Sequence, residues 1–153
     1  MNTSPTSVIG RVRISYPRLQ RILVPLDFSG KSRQALRYAV PLAQKFSARI
    51  HLVHVLPAIG KLPRDEQIRL RQAALKRLGQ TAAPLMPRRL QAENAVLSGK
   101  PADEILALAE KNSIDLIVLT TKGRDGLKRA LVGSTAEQIM RHAPCPVMSV
   151  RRR

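Results

Sequence analysis

The sequence predicts an α/β fold, a parallel sheet with helices packed on both faces. Short aliphatic runs alternate with helically periodic segments along the chain, in the order β-α-β-α-β-α-β-α-β. One run, Leu116-Ile117-Val118-Leu119, is apolar without alternation, as a strand buried on both faces must be. Apolar residues make up 44% of the chain with two Phe, two Tyr and no Trp, so the core has to be aliphatic.

The elements follow in order. Residues 1–20 are rich in Ser, Thr and Pro, carry Arg11, Arg13 and Arg18, and precede the first acid, Asp27. They read as a flexible basic arm; a transit peptide has a similar composition. Residues 21–153 read as the domain. Arg21 to Leu26 is strand 1, and Asp27-Phe28-Ser29-Gly30 turns the chain, with Ser29 a candidate helix cap. Ala35, Leu36, Ala39, Leu42, Ala43 and Phe46 form a helical stripe, although Pro41 lies inside it and an interior proline costs about 3 kcal/mol. Arg49 to Leu56 is strand 2. Arg64 to Ala83 is a long basic helix with Ile68, Ala74, Leu75, Leu78 and Ala82 as its apolar positions; Gly79 weakens it, and Pro84 and Pro87 end it. Leu90 to Leu97 alternates loosely, as a half-buried strand near an edge would. Pro101 suits the first turn of helix 3, whose core side is Ile105, Leu106 and Ala109. Asp115 to Thr121 is strand 4, Ser134 to His142 is helix 4, and Val147 to Val150 is a last strand beside Pro146, which suits an edge.

Several function classes lack their signatures. There is no Walker A loop and no G-x-G-x-x-G fingerprint. No apolar run reaches the roughly 18 residues of a membrane span. No Cys/His set has metal-ligand spacing, and Ser134 has no companion His and acid. His51 and His54 are three apart on strand 2 and point to opposite faces, as structural residues or as separate ligands or bases. Cys145 is the lone cysteine, either a packed thiol or one made reactive by nearby Arg141. One cysteine allows no internal disulfide and suits a reducing compartment. The net charge of +17 describes either a solvated basic surface or a field that attracts polyanions.

The stretch from Thr120 to Thr135 carries the chemistry. It joins a buried strand to a helix start, where parallel α/β sheets bind anions. It holds Gly123, Gly133, the hydroxyls of Ser134 and Thr135, and four cations, Lys122, Arg124, Lys128 and Arg129, against one acid, Asp125. Glycine lets backbone approach an anion, and first-turn amides with the helix dipole bind its charge. The competing reading is a plain turn with Ser134 as an N-cap.

Pro25-Leu26-Asp27-Phe28-Ser29, Leu52-Val53-His54-Val55, Gly99-Lys100-Pro101, Gly123-Arg124-Asp125-Gly126-Leu127 through Gly133-Ser134, and His142-Ala143-Pro144-Cys145-Pro146-Val147 together resemble the universal stress protein family, in its single-domain form. The resemblance covers Arg21 to Val150. It implies an open doubly wound, Rossmann-like fold of the adenine-nucleotide hydrolase-like kind. Its five-stranded parallel sheet has order 3-2-1-4-5, with a crevice where the order reverses between strands 1 and 4. Members that bind ATP use G-x2-G-x9-G-[ST]. Gly123-x9-Gly133-Ser134 fits, whereas Thr120 stands in place of the first glycine. Position by position, the resemblance puts Pro25 and Asp27 by ribose and adenine, Ile50 against adenine, and Thr120, Thr121, Gly123, Gly133, Ser134 and Thr135 around the phosphates. Asp27 also reads as a helix-capping acid.

The resemblance thus implies a cytoplasmic ATP-binding stress-response module, with Mg2+ as companion ion. It would act through partner contacts and a homodimer built on the edge strand Val147–Val150, with at most slow ATP hydrolysis. The alternative is a nucleotide-independent basic protein that binds nucleic acid or another polyanion. A nucleotide-using hydrolase or phosphotransferase dependent on Asp27 is a third reading.

Overall fold

The computed structural model describes residues 18–121 and 133–150, together with the backbone of two short strands, Ser7–Ile9 and Val12–Ile14, paired antiparallel. That pair lies in the stretch read as an arm. Its signature in the sequence is the pair of short runs rich in β-branched residues, Ser7-Val8-Ile9 and Val12-Arg13-Ile14, which the compositional reading passes over. Lys122, Gly123, Arg124, Asp125, Lys128 and Arg129 lie outside the described residues.

Five strands form one parallel sheet: β1 (Arg21–Pro25), β2 (Arg49–Leu56), β3 (Ala92–Ser98), β4 (Leu116–Thr120) and β5 (Val147–Val150). Their spatial order is β3-β2-β1-β4-β5, the order the resemblance implies. Four helices cover it: α1 (Ser32–Phe46), α2 (Arg64–Ala82), α3 (Pro101–Lys111) and α4 (Ser134–His142). α1 and α2 pack on one face, and α3 and α4 on the other.

Alternation within the buried strands decides which face each side chain serves. Ile22, Val24, Ile50, Leu52 and Val118 meet Leu36, Ala39 and Ala43 of α1 and Leu78 of α2. Leu23, Val53, Ile117 and Leu119 meet Ile105 and Ala109 of α3 and Ile139 of α4. Each fully buried Leu, Ile or Val is worth roughly 1.5–3 kcal/mol, so the two clusters are the main favourable term.

Pro41 is accommodated because it sits on the exposed side of α1, as does Arg37, the residue whose carbonyl it leaves without a donor. The helix ends at Ser47, in the left-handed region at φ 55°, with Ala48 N–H returning to Ala43 O at 2.9 Å. Three expected core positions are instead exposed. Phe46 falls in the last turn of α1, and Ile68 and Leu75 lie beside the buried stripe of α2. Ala74, Leu78 and Ala82 are the buried residues of α2.

β3 is an edge strand, as its loose alternation suggests. Ile50 N–H bonds Gln91 O, so Gln91, Glu93 and Ala95 direct their backbone groups toward β2, and Val96 directs its carbonyl outward. Arg71 of α2 donates to that carbonyl at 3.1 Å and so covers the edge.

His51 and His54 face opposite sides, and among the described residues neither belongs to a group of three or more His, Cys, Asp or Glu that could hold a metal ion. His51 is buried, with Nδ1 at 3.3 Å from Glu93 Oε2, itself ion-paired to Arg49. A carboxylate accepts only, so the proton sits on Nδ1 and Nε2 is a bare acceptor. Nε2 is buried without a hydrogen-bond partner. Protonating it would create a buried donor with nowhere to point. Burial accordingly lowers the His51 pKa from its ordinary 6.5; Glu93 opposes this, and the positive charges of Arg49 and Arg21 add to it. The unfolded chain therefore takes up a proton that the native protein resists. His51's contribution to stability is complete above pH 6.5 and declines as pH falls toward the lowered native value. Urea unfolding at pH 7.5 and 5.5 should show a smaller acid-induced loss in His51→Leu than in the unsubstituted protein. Equal losses would contradict this account.

Candidate functional site

The switch point lies between β1 and β4, the two strands from which the order runs in opposite directions. β1 pairs with β2 over its whole length, from Arg21↔Arg49 to Pro25↔Val53. It pairs with β4 only at Ile22↔Leu116 and Leu23↔Ile117. Continuing these registers puts Asp27, Val55 and Thr121 at one level across β1, β2 and β4, at the carboxyl end of the sheet. Parallel α/β sheets hold ligands there.

The first wall is the turn after β1. Leu26 N–H still bonds Val53 O at 2.8 Å, and then the chain leaves the sheet. Asp27 Oδ1 accepts the Ser29 N–H at 2.9 Å, which tightens the turn. Ser29 Oγ accepts the Ser32 N–H at 3.1 Å, and Ser32 Oγ donates to Ser29 O at 3.1 Å. Ser29 thus braces the turn into α1 but is not its N-cap as expected: that position is Lys31, which makes no side-chain cap bond. Asp27 shapes the turn before it, with its carboxylate partly buried at the mouth of the switch point. Pro25, half-buried, is the last residue of β1.

The second wall is the start of α4. Gly133 N–H bonds Thr121 O at 2.7 Å, so the chain between 121 and 133 leaves and returns at one point. Gly133 has φ −72°, so it is not required for a left-handed conformation. What it provides is the absence of a side chain at the N-cap, so among the described residues no side-chain cap closes the start of α4. Ser134 and Thr135 sit in its first turn, and Ser134 is exposed. Because Ser134 lies inside the helix, the reading of it as the N-cap is not met. Thr121 is buried on the α3/α4 side, whereas Thr120, half-buried, is held in the ladder opposite Val150.

Pro25, Asp27, Thr120, Thr121, Gly133, Ser134 and Thr135 are therefore brought to the carboxyl end of β1 and β4, while Gly123 lies outside the described residues. Ile50 is not brought there. It is completely buried under α1 and pairs with Ile22 at the opposite end of β1. At about 3.3 Å per residue it lies some 16 Å below Val55, so it cannot face a ligand at the crevice. The error has a plain source: strand 2 is apolar at nearly every position, and apolarity does not tell its two ends apart.

The position on β2 level with Asp27 is Val55. It lines an apolar cleft of about 520 Å³ with Pro57, Ala58, Gly99, Lys100 and Pro101. Gly99 shapes that cleft from below, with φ +152° and its N–H on Leu56 O at 3.0 Å. A Cβ there would come within 2.5 Å of Glu104 Oε1. The signal that could have found Val55 is the register arithmetic between β1 and β2, which needs the ladder and not only the strand boundaries.

Cys145 is a packed thiol. Burial raises its pKa, the nearby Asp115 charge raises it further, and a backbone hydrogen bond with Ile117 offsets part of this. That is the opposite of an activated nucleophile. Among the described residues no group of three or more His, Cys, Asp or Glu could hold a metal ion. No described helix is long and apolar enough to cross a membrane.

A sequence model of the universal stress protein family matches residues 18–151. Universal stress protein MJ0531 of Methanocaldococcus jannaschii is 35% identical over 141 residues, covering 87% of this chain and 82% of its own length. Universal stress protein YxiE of Bacillus subtilis is 32% identical over 145 residues, covering 86% and 98%. Solved structures share the fold. MJ0577, also of M. jannaschii, superposes with TM-score 0.79 at 23% identity over 90% of this chain and 99% of its own. A universal stress protein in complex with cAMP gives 0.66 at 21% over 88% and 99%, and one from Archaeoglobus fulgidus in complex with dAMP gives 0.64 at 21% over 88% and 100%. Motif order, sheet order and these likenesses agree, and the chain belongs to the universal stress protein family.

Proposed function

We propose that this protein is a cytoplasmic nucleotide-binding module that holds an adenine nucleotide, ATP foremost, in the crevice between Asp27 and the start of α4. The observation that carries this is the register: continued from Pro25↔Val53 and Leu23↔Ile117, it brings Asp27 after β1 level with Thr121 after β4, whose carbonyl accepts from Gly133, the N-cap of α4. The first-turn amides at Ser134 and Thr135 suit phosphate oxygens, and the partial positive charge of the helix end adds to them. A carboxylate such as Asp27 suits ribose hydroxyls. The apolar cleft at Val55, Pro57 and Pro101 suits a base, and Val55 takes the role first given to Ile50. Relatives of this fold solved with cAMP and dAMP support an adenine nucleotide. Gly123 and the loop cations are assigned to the phosphates by sequence position, and Mg2+ is the expected companion of ATP. The role is binding, and the response to stress is passed on through protein contacts.

Saturating Mg-ATP at about 100 times Kd should add about 2.7 kcal/mol of stability. For a chain of this size that raises Tm by roughly 5–10 °C. Asp27→Ala should remove most of the rise. No rise at millimolar ATP would overturn the proposal. Binding that survives Asp27→Ala but collapses log-linearly with salt would favour the second reading, in which the +17 charge holds polyanions without a nucleotide crevice.

We also propose a homodimer through β5. Ile117 N–H bonds Pro146 O, so Pro146, Met148 and Val150 direct their backbone groups toward β4. Val147 and Ser149 then direct theirs outward. A two-fold axis at Met148 would pair Val147 of one copy with Ser149 of the other, giving four backbone hydrogen bonds. Arg71 covers the opposite edge of the sheet, which leaves β5 as the edge suited to pairing. Ser149→Pro removes a donor on the exposed edge and should yield a monomer with an unchanged far-UV spectrum in light scattering and circular dichroism. A persistent dimer would contradict pairing through this strand.

A further inference from the structure

We infer that Phe28, His54 and Arg77 form a three-layer clamp that positions Asp27 for ligand binding. The inference rests on the nucleotide reading for its consequence but not for its geometry. Phe28 has φ 65°, in the left-handed region that a bulky residue adopts only when its surroundings force it. Two neighbours supply that force. The His54 ring stacks on Phe28 with centroids 4.0 Å apart and planes 30° from parallel. The Arg77 guanidinium carbon lies 4.5 Å from the Phe28 centroid, within cation–π range.

His54 does a second thing. Its Nδ1 lies 2.7 Å from Leu26 O, and a carbonyl can only accept, so Nδ1 carries the proton and donates. One imidazole therefore fixes the residue before Asp27 by a hydrogen bond and the residue after it by stacking. Asp27 cannot swing without breaking one or the other. His54 comes from β2 and Arg77 from α2, so two elements that supply no ligand group of their own, beyond Val55, hold the acid at the switch point. Without the clamp the turn would relax Phe28 toward an ordinary negative φ, and the carboxylate would leave the level of Val55 and Thr121. Phe28, His54 and Arg77 are positioning residues in this scheme.

The test uses the full-length protein and two readouts. Amide hydrogen exchange of the ligand-free protein reports the clamp, and calorimetric titration with Mg-ATP reports its consequence. Phe28→Ala should speed exchange across Asp27–Ser29 at least tenfold and weaken ATP binding about tenfold. Arg77→Ala should shift both in the same direction by less, and Arg77→Lys should restore them in part because the cation remains. Phe28→Trp keeps a ring and should restore both; as the sole tryptophan, its emission should shift on ATP addition. Unchanged exchange in Phe28→Ala overturns the clamp. Faster exchange with unchanged ATP affinity overturns its positioning role. If the unsubstituted protein binds no ATP, the nucleotide reading fails by itself, and exchange alone decides whether the clamp exists.

Discussion

The carboxylate of Asp115 receives two hydrogen bonds at 2.8 Å, from the N–H groups of Gln20 and Arg21. Asp115 N–H in turn bonds Arg21 O at 3.0 Å, and Arg49 N–H bonds Gln20 O at 2.7 Å. This knot fixes where β1 begins against β2 and β4 together. β1 has no alternative face to offer, because Ile22, Leu23 and Val24 are all fully buried. A slip by one residue would exchange the side chains between the α1/α2 and α3/α4 layers. The same register sets the far end of the sheet. With β1 fixed at its start, Asp27 comes level with Val55 on one side and Thr121 on the other. The geometry of the crevice is thus decided six residues away from it along both strands, from Arg21 to Asp27 and from Asp115 to Thr121, by an acid at the opposite pole.

The crevice has a division of labour that follows from this. The β4 side is backbone chemistry: a glycine N-cap, first-turn amides and a helix dipole, which tolerate much variation in side chains. The β1 side is a single carboxylate on a turn with an unfavourable backbone conformation, which tolerates little. The stack of His54, Phe28 and Arg77 supplies the rigidity that the second arrangement needs. Thr120, the departure from the glycine pattern, belongs to the strand: it is held opposite Val150, before the chain turns toward α4.

The fold was legible because its signals are redundant. Alternation of strand and helix patterns, a two-face-buried β4 and the family motifs each point to the same sheet. Pro41 looked like a conflict only because a linear pattern does not say that it and Arg37 share the solvent side. Phe46, Ile68 and Leu75 misled for a related reason: helical spacing identifies a stripe but not how closely the helix approaches the sheet. The placement of Asp27, Gly133 and Ser134 at the carboxyl end of the sheet was legible from their positions after strands and before a helix. Ile50 was not, since depth along an apolar strand is set by the ladder. The clamp was not legible at all, because Phe28, His54 and Arg77 come from three separate elements with no spacing rule to connect them.

The central claim is that one ligand touches both walls at once. Titration of isotopically labelled protein with Mg-ATP, followed by amide chemical shifts, tests it directly. The account predicts that the amides of Asp27–Ser29 and of Gly133–Thr135 shift together with a single Kd, while Ile50 does not respond. Shifts confined to one wall, or scattered over the basic surface without saturation, would contradict it.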